Sequence, residues 1–447
     1  MSPLTLDDIR PCLEGTIPAQ IATCAADGTP NVAYLSQVYY VDPGHVALSF
    51  QFFNKTRQNI LANPEAQLLL LDPQTFAFRR LSIRYLRTQT EGPVFESMRA
   101  QLAGIASHTG MAEVFELKGA DIYAVQAIEP VAGETLAPPP PRRGLLGAAR
   151  RGGEQLAQSR SLDEALAAVV RTLAQDLAIE HALVLLLDAA QQRLYTVASH
   201  GYARSGVGSE IALGQGVIGM AAQARTPVRI SHLTTASLYS HTVRQALADS
   251  GGLPAGTDIP YPGLPQPQSQ MAVPLLAAGR LLGVVFVESA QESRFGFEDE
   301  DVLVSLATHL ATTIALLQLG ADAAGGPASA AHSGRPPAVQ GLLRAHRYRS
   351  NHSVFLNGSY LIKGVAGAIF WKLLHEYLQR GRTDFTNREL RLDAAIGLPD
   401  VVDNLEARLI LLERRLAEQP LPVRIEKTGR GQFRLCVGMR VECSEAD

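Results

Sequence analysis

Two stretches of the chain have compositions that cannot build a hydrophobic core, and they divide its 447 residues into three blocks. Residues 134–155 contain four consecutive prolines followed by a Gly- and Arg-rich run, and residues 320–341 are rich in Ala, Gly, Ser and Pro without periodicity. Such sequences favour extended or irregular backbone. The remaining blocks, residues 1–133, 156–319 and 342–440, each have the length of a domain. We therefore predict three domains joined by two linkers.

The charge of the chain is unevenly distributed between these blocks. Hydrophobic residues make up 46% of the chain and charged residues 19%, which is enough apolar material for several cores. The net charge is only −3, yet residues 342–440 contain 17 Lys and Arg against 10 Asp and Glu, whereas residues 1–341 contain 23 against 30. A basic block beside an acidic remainder predicts that one domain has a polyanionic partner.

The cysteines and the apolar runs bear on the cellular compartment. Cys12, Cys24, Cys436 and Cys443 form no CxxC pair, so we expect reduced thiols rather than disulfides or a metal site. No uninterrupted apolar run reaches the ~18 residues of a membrane span. The N-terminus has acidic residues where a signal peptide needs basic and apolar ones. These features predict a cytoplasmic protein with no membrane partner.

The first block has the pattern of a small antiparallel barrel with peripheral helices. Runs rich in β-forming residues are separated by an Asp27-Gly28 turn and a Pro43-Gly44 turn. A helical segment, KTRQNILANPEA, and an apolar strand, QLLLLD, follow. This order fits a barrel closed by antiparallel strands.

One segment of this block, SFQFFNKTRQNILANPEAQLLLLD, resembles the FMN-binding split-barrel family of the pyridoxamine-phosphate oxidases. The resemblance implies that a basic turn holds the FMN phosphate, that strand backbone lines the flavin, and that two copies form a homodimer with the flavin near the interface. A cation, a hydroxyl and free backbone N–H groups at a helix start suit a phosphate. The implied cofactor-binding residues are Ser49, Gln51, Asn54, Lys55, Thr56 and Arg57. Because Tyr34 and Tyr39 replace basic residues of the oxidases, a barrel without flavin remains the alternative.

The second block resembles a GAF domain, an α/β sandwich around an antiparallel sheet. The resemblance is carried by GQGVIGMAAQARTPVRI, by the hairpin MAVPLLAAGRLLGVVFVES with a turn at Ala278-Gly279, and by the helix FEDEDVLVSLATHLATTIA. GAF domains bind cyclic nucleotides, haems, bilins or metabolites, or bind no ligand, so the resemblance implies either a small-molecule sensor or a domain without a ligand. His232 and His241 lie in a long polar loop and are either ligands to a haem iron or ordinary loop residues. Four apolar positions of the last helix form either a dimer seam or part of the domain's own core: Leu303, Leu306, Leu310 and Ile314.

The third block alternates hairpins and helices. An Asn357-Gly358 turn joins two short strands, and an amphipathic helix ends at Gly381. A second helix begins at the N-cap Thr386, with Glu389 at the capping-box position. A third helix, DVVDNLEARLILLERRLAEQ, and a final hairpin, PVRIEKTGRGQFRLCV, complete the block.

This order resembles the winged-helix effector domain of OmpR/PhoB-type regulators. The resemblance implies that the third helix enters the major groove of DNA and that the final hairpin lies along the backbone. The implied DNA-binding residues are Arg388, Arg391, Asn404, Arg408, Arg415, Lys427 and Arg430. Acidic residues on or beside the third helix leave a second reading open, in which this domain contacts protein: Asp400, Asp403, Glu406 and Glu413.

Together the three blocks predict an α+β multi-domain protein: a split β-barrel, a GAF domain and a winged helix. The function that this order favours is a one-component sensory transcription regulator, a homodimer that senses a flavin or another small-molecule ligand and binds DNA. A flavin-dependent oxidoreductase with regulatory domains and a scaffold whose winged helix binds protein are the alternatives. The sequence contains no Ser-His-Asp arrangement, P-loop or HExxH motif, so we predict no catalytic residues.

Overall fold

The computed structural model describes residues 4–13, 18–35, 37–51, 55–109, 117–138, 144–231, 259–323, 341–393, 396, 405–429 and 431–446.

The first domain is built on a seven-stranded sheet with strand order β2-β1-β5-β6-β7-β4-β3, in which every neighbouring pair is antiparallel. Its strands are β1 (Ala19–Cys24), β2 (Pro30–Leu35), β3 (Val38–Asp42), β4 (His45–Phe50), β5 (Glu65–Leu71), β6 (Phe78–Gln89) and β7 (Gly119–Pro130), and its helices are α1 (Lys55–Ala62) and α2 (Pro93–Thr109). A short 3-10 helix, Asp7–Leu13, buries Ile9 and Leu13 in the core that the sheet encloses. The antiparallel architecture agrees with the prediction for this block.

The second domain is a six-stranded antiparallel sheet between two layers of helices, with strand order β10-β9-β8-β13-β12-β11. Its strands are β8 (His181–Asp188), β9 (Arg193–His200), β10 (Glu210–Ala212), β11 (Val228–Ile230), β12 (Ser269–Ala277) and β13 (Arg280–Ser289), and its helices are α3 (Leu145–Gln158), α4 (Leu162–Arg171), α5 (Gly216–Ala224) and α6 (Phe297–Ala323). One face of the sheet packs on α4 and α6, with α3 packed against these two helices, and the other face packs on α5.

Helix α3 corrects the prediction that residues 134–155 are a linker. It begins at Leu145 and packs along α6. A Cβ atom at Gly152 would lie 2.6 Å from Cδ2 of Leu306, so the missing side chain lets the two helices approach closely. The Gly-rich run that looked unable to join a core is therefore part of a helix–helix contact.

Helix α6 also differs from expectation. Its segment Phe297–Leu319 is long and apolar enough, by length and composition alone, to cross a membrane, a property that a count of uninterrupted apolar residues misses. In the fold this helix packs on α3 and β12. All four positions considered for a dimer seam are buried in the domain's own core in this structure: Leu303, Leu306, Leu310 and Ile314.

The described part of the third domain contains a four-stranded sheet, a three-stranded sheet and three helices. Its strands are β14 (Leu342–Tyr348), β15 (Ser353–Leu356), β16 (Ser359–Ile362), β17 (Asp384–Thr386), β18 (Val423–Gly429), β19 (Gln432–Val437) and β20 (Arg440–Ala446), and its helices are α7 (Gly364–Arg380), α8 (Asn387–Leu392) and α9 (Leu405–Ala417). The domain extends beyond the predicted end at residue 440, because β20 pairs in parallel with β14. Residues 324–340 of the predicted second linker lie outside the described residues.

The second domain packs against both of the other domains. Apolar residues of the GAF-type helices and of the third domain belong to one continuous buried cluster, which includes Leu166 of α4 and Leu411 of α9. On the opposite side, α2 of the first domain packs on α5, and Ser97 Oγ lies 2.9 Å from Thr226 Oγ1. The second domain is thus held between the other two.

Candidate functional site

A pocket of about 340 Å³ opens in the first domain, where α1 faces strands β1, β2, β4 and β7. Its lining combines an apolar and aromatic wall with a few polar groups, which is the usual composition of a small-ligand site. The lining residues are Pro18, Ile21, Tyr34, Leu35, Leu48, Ser49, Phe50, Gln51, Thr56, Arg57, Ile60, Asp121 and Tyr123.

Arg57 is the cation of this pocket, and it is held from several sides. Its Nη1 donates to Asp121 Oδ1 at 2.5 Å, and its Nη2 donates to Thr88 Oγ1 at 2.7 Å. The guanidinium carbon lies 4.5 Å from the centroid of the Phe50 ring. The Arg57 side chain is only 12% exposed, so its planar group is fixed at the pocket wall and faces little bulk water.

The carboxyl group of Asp121 is unusual for an ion-paired acid. Burial raises its pKa, and the hydrogen bond from Thr88 and the charge of Arg57 oppose that rise without cancelling it. Burial also raises the pKa of Tyr123 on the same strand, so its hydroxyl stays protonated. The pocket wall therefore carries a carboxyl that takes up a proton more readily than an ordinary aspartate.

Four of the six predicted cofactor residues line this pocket: Ser49, Gln51, Thr56 and Arg57. Thr56 is buried at the start of α1 and accepts a hydrogen bond from Asn31 Nδ2 at 3.0 Å. Lys55 is exposed and does not line the pocket, and Asn54 lies outside the described residues. Sequence reasoning missed Asp121, although a single acid within the apolar strand segment ADIYAV was a usable signal.

A second arrangement of interest lies at α9, the helix that the sequence predicts to enter DNA. Arg408 is 6% exposed, and its Nη2 donates to Asp188 Oδ2 of β8, in the second domain, at 2.7 Å. Its guanidinium carbon also lies 4.1 Å from the centroid of the Tyr195 ring on β9. Leu411 follows on the same helix face, and a Cβ atom at Gly208 would lie 3.5 Å from it. This face of α9 is covered by the second domain.

Further polar contacts join the second and third domains around Arg408. Arg414 donates to the carbonyl oxygen of Val197 and pairs with Asp163 at 2.7 Å. Lys363 Nζ lies 3.3 Å from Glu210 Oε2. Acids of the second domain thus neutralise three cations of the basic block.

The other predicted DNA-binding residues have different surroundings. Arg415 donates to the carbonyl oxygen of Leu361 at 3.0 Å and pairs with Glu418, so it is committed within its own domain. Lys427 is half-exposed and pairs with Glu406 at 3.1 Å. Arg388 is exposed and Arg391 is half-buried. The remaining candidates, Asn404, Arg430, His232 and His241, lie outside the described residues.

The contacts of Arg408 therefore set a condition on the prediction that α9 enters DNA. In this conformation Arg408 cannot reach a duplex, because both its charge and its surface are taken up by the second domain. A DNA contact by this helix remains a prediction that depends on separation of the two domains.

Comparisons with known proteins address the first two domains. The family model described as "Pyridoxamine 5'-phosphate oxidase" matches residues 5–129, and the model described as "GAF domain" matches residues 159–315. Neither covers residues 341–446. The search of curated proteins gave no match.

Solved structures also match parts of the chain. The GAF domain of the Acinetobacter phosphoenolpyruvate-protein phosphotransferase is 24% identical, with 42% of this chain and 99% of that chain covered and a TM-score of 0.32. An FMN-binding protein from Syntrophomonas wolfei is 16% identical, with 29% and 86% covered and a TM-score of 0.25. HupZ of Group A Streptococcus is 21% identical, with 29% and 97% covered and a TM-score of 0.24. From the two family models, the chain carries a pyridoxamine-phosphate-oxidase-like split barrel followed by a GAF domain.

Proposed function

We propose that this chain is a sensory regulator in which the barrel binds a flavin, the GAF domain responds to a small ligand, and the third domain is a winged helix that binds DNA once α9 is released. The observation that carries this proposal is the buried contact of Arg408 with Asp188. It ties the predicted DNA-binding helix to the sheet of the domain that would sense the ligand.

The order of elements in the third domain supports the winged-helix assignment. Three helices, α7, α8 and α9, are followed by the β18–β19 hairpin, and β17 pairs with β19 to form a three-stranded sheet. In winged-helix regulators the third helix reads the major groove, and the hairpin contacts the backbone. Lys427 lies on β18 of that hairpin and is half-exposed.

The barrel pocket supports the flavin assignment because its residues suit both ends of FMN. Tyr34, Leu48 and Phe50 offer an apolar and aromatic wall for a flat ring, and Thr56 and Arg57 at the start of α1 offer a hydroxyl and a guanidinium for a phosphate. Bound FMN would supply redox chemistry through its ring. Arg57 would orient the phosphate, and protonation of Asp121 would free Arg57 from its internal partner.

A packed route connects this pocket to the GAF domain. Asp121 faces the pocket, whereas its neighbours Ala120 and Ile122 on β7 pack with Met98 of α2. Ala100 of the same helix is buried in the cluster on the α5 face of the GAF sheet. A shift of β7 on ligand binding would therefore displace α2 and alter its packing on the GAF domain.

The regulator proposal is tested on the full chain with the variant Asp188→Asn. This change removes the partner charge of Arg408 and should release α9. Binding to a labelled random-sequence duplex, measured by fluorescence anisotropy, should become at least about tenfold tighter than in the wild type. The log–log slope against salt should be about −0.9 for each phosphate contacted.

Glu129→Gln is the matched control, because it neutralises an exposed acid paired with Arg80 in the first domain. This control should bind DNA as the wild type does. If Asp188→Asn and Glu129→Gln show the same weak binding, the DNA-binding proposal fails and a protein partner for the third domain is favoured instead.

The flavin proposal is tested by titrating the full chain with FMN and with riboflavin while flavin fluorescence is recorded. FMN should bind about ten- to a hundredfold more tightly, because only FMN offers a phosphate to Arg57. Arg57→Gln should abolish that preference, and Arg80→Gln on the barrel surface should preserve it.

Asp121→Asn provides an independent test if Arg57→Gln fails to fold. It should strengthen FMN binding, because the acid that competes for Arg57 is removed. Absence of flavin binding, or equal affinity of the wild type for FMN and riboflavin, would refute the phosphate site.

A further inference from the structure

A polar cluster lies on the α5 face of the GAF sheet, beside apolar residues of that face. Glu288 of β13 is directly opposite Gln270 of β12 on one side and His181 of β8 on the other. The same strand faces carry Leu183, Ala272 and Phe286, which belong to the buried cluster beneath α5. Three polar side chains thus stand in one cross-strand row beside an apolar surface.

Glu288 is the most buried of these groups, at 1% exposure. Its Oε1 accepts hydrogen bonds from the Tyr202 hydroxyl and from the Leu264 backbone N–H, both at 2.8 Å, and its Oε2 accepts from Gln270 Nε2 at 3.0 Å. All three donors are neutral. Among the described residues Glu288 has no ion-pair partner, and a buried carboxylate without a cation is costly to maintain.

Two further atoms in the row have unused hydrogen-bonding capacity. Gln270 is 7% exposed, and its Oε1 has no hydrogen-bond partner within the described structure. His181 Nδ1 is also a buried atom without a hydrogen-bond partner there. Buried polar atoms are rarely left unsatisfied. The Gln270 amide already directs its N–H toward Glu288, so its oxygen is an acceptor that lacks a donor.

Aromatic rings border the cluster. The Tyr202 ring lies 5.2 Å from the His181 ring, and the Tyr261 ring lies 6.4 Å from the Phe286 ring. Burial and the neighbouring charge of Glu288 raise the pKa of Tyr202, so its hydroxyl remains a donor. Aromatic faces attract cations, and they do so more strongly where water is excluded.

We propose that this cluster binds a small primary amine, whose ammonium pairs with Glu288, donates to Gln270 Oε1 and lies against the rings of Tyr202 and Tyr261. The proposal gives a ligand class to the GAF domain and so rests on its sensory role. It accounts together for three features of the described residues: a buried carboxylate without an ion-pair partner, an unused acceptor at Gln270 Oε1, and the aromatic border.

The test is isothermal titration of the full chain, without DNA or flavin, with butylamine and 2-phenylethylamine. Butanol and 2-phenylethanol are the matched neutral probes. At least one amine should bind, and its alcohol counterpart should bind at least about tenfold more weakly. Glu288→Gln should weaken amine binding by about 30-fold or more, the usual effect of removing one partner of a buried charge pair. Glu298→Gln, at an exposed acid in α6, should leave it unchanged.

Two readouts separate a ligand site from a purely structural role. Glu288→Gln should melt at or above the wild-type temperature without ligand, because it removes a buried charge that has no ion-pair partner among the described residues. A structural acid would instead lower the melting temperature. Tyr202→Phe should keep or strengthen amine binding, because it removes a donor that competes for the carboxylate.

Equal binding of amines and alcohols, wild-type amine affinity in Glu288→Gln, or no binding by either amine would overturn the proposal. None of these outcomes depends on release of α9. Failure here is therefore distinct from failure of the DNA-binding or flavin proposals.

Discussion

The ion pair between Arg408 and Asp188 allows a quantitative prediction of how strongly α9 is held against the second domain. The two residues are 6% and 9% exposed, and the Tyr195 ring covers the guanidinium at 4.1 Å. Asp188→Asn is the sharpest perturbation, because Asn keeps an acceptor for the Gln191 backbone N–H, now bonded at 3.1 Å, while it removes the charge. Arg408 would then be a buried cation without its counter-ion.

The size of the effect follows from burial. Removing one partner of a buried ion pair costs about 3–5 kcal/mol, because the other charge is left uncompensated. An exposed pair such as Arg80–Glu129, whose side chains are 56% and 52% exposed, contributes about 0–1 kcal/mol. At about 1.4 kcal/mol per tenfold, Asp188→Asn should raise the population with α9 released by roughly a hundredfold or more.

The assay uses a cysteine in place of Leu411, a 4%-exposed residue that lies over Gly208. Its alkylation rate, read on the relevant peptide by mass spectrometry, reports how often this helix face opens. The alkylation rate should rise by roughly a hundredfold in Asp188→Asn and stay unchanged in Glu129→Gln. Replacing the pair with apolar residues, Arg408→Met with Asp188→Leu, should restore protection, because a well-packed apolar pair avoids the desolvation cost. Equal alkylation rates in the Asp188→Asn and Glu129→Gln backgrounds would refute the reasoning.

Three further predictions concern stability. Gly152→Val should lower the thermal midpoint, because its Cβ would lie 2.6 Å from Leu306 and overpacking costs about 1–3 kcal/mol. Gly147→Ala should leave the midpoint unchanged, because the nearest neighbour of its Cβ is the end of an arginine side chain. Because burial raises the pKa of Asp121, the free energy of unfolding should fall as pH rises from the ordinary carboxyl range through that raised pKa, and denaturant titrations of Asp121→Asn should lack this fall. Thr386→Ala should cost about 1 kcal/mol in the same titration, since it removes the N-cap of α8, and an undiminished midpoint would contradict the capping role.

Local features of the fold were predictable because short-range chemistry decides them. The Asn357-Gly358 turn has φ angles of 50° and 82°, a left-handed conformation that Asn and Gly tolerate. Gly381 ends α7 with a φ of 63°, and the capping box between Thr386 and Glu389 is formed on both sides. Each of these depends on residues only a few positions apart, so the sequence pattern contains all the required information.

The functional surroundings were less predictable because they depend on distant residues. Arg57 was predicted as a phosphate ligand, but its partner Asp121 is 64 positions away on another strand. Arg408 was predicted to face DNA, but its partner Asp188 is 220 positions away in another domain. Helix α3 was missed because a Gly-Gly pair lowers helix propensity, whereas close contact with α6 favours small residues there.

The acidic and basic blocks of the sequence pair with each other in this structure. The basic charge of the third block predicted a polyanionic partner. In the described conformation three acids of the GAF domain form salt bridges with cations of that block: Asp163, Asp188 and Glu210. A nucleic acid would have to compete with these acids for Arg408, because one guanidinium cannot serve both partners at full strength. Salt would weaken the DNA contacts and the exposed parts of the domain interface together, but it would weaken the buried Arg408–Asp188 pair much less. In the proposed regulator, release of α9 by added salt alone should therefore be inefficient, and a ligand that shifted β8 would expose this helix more effectively.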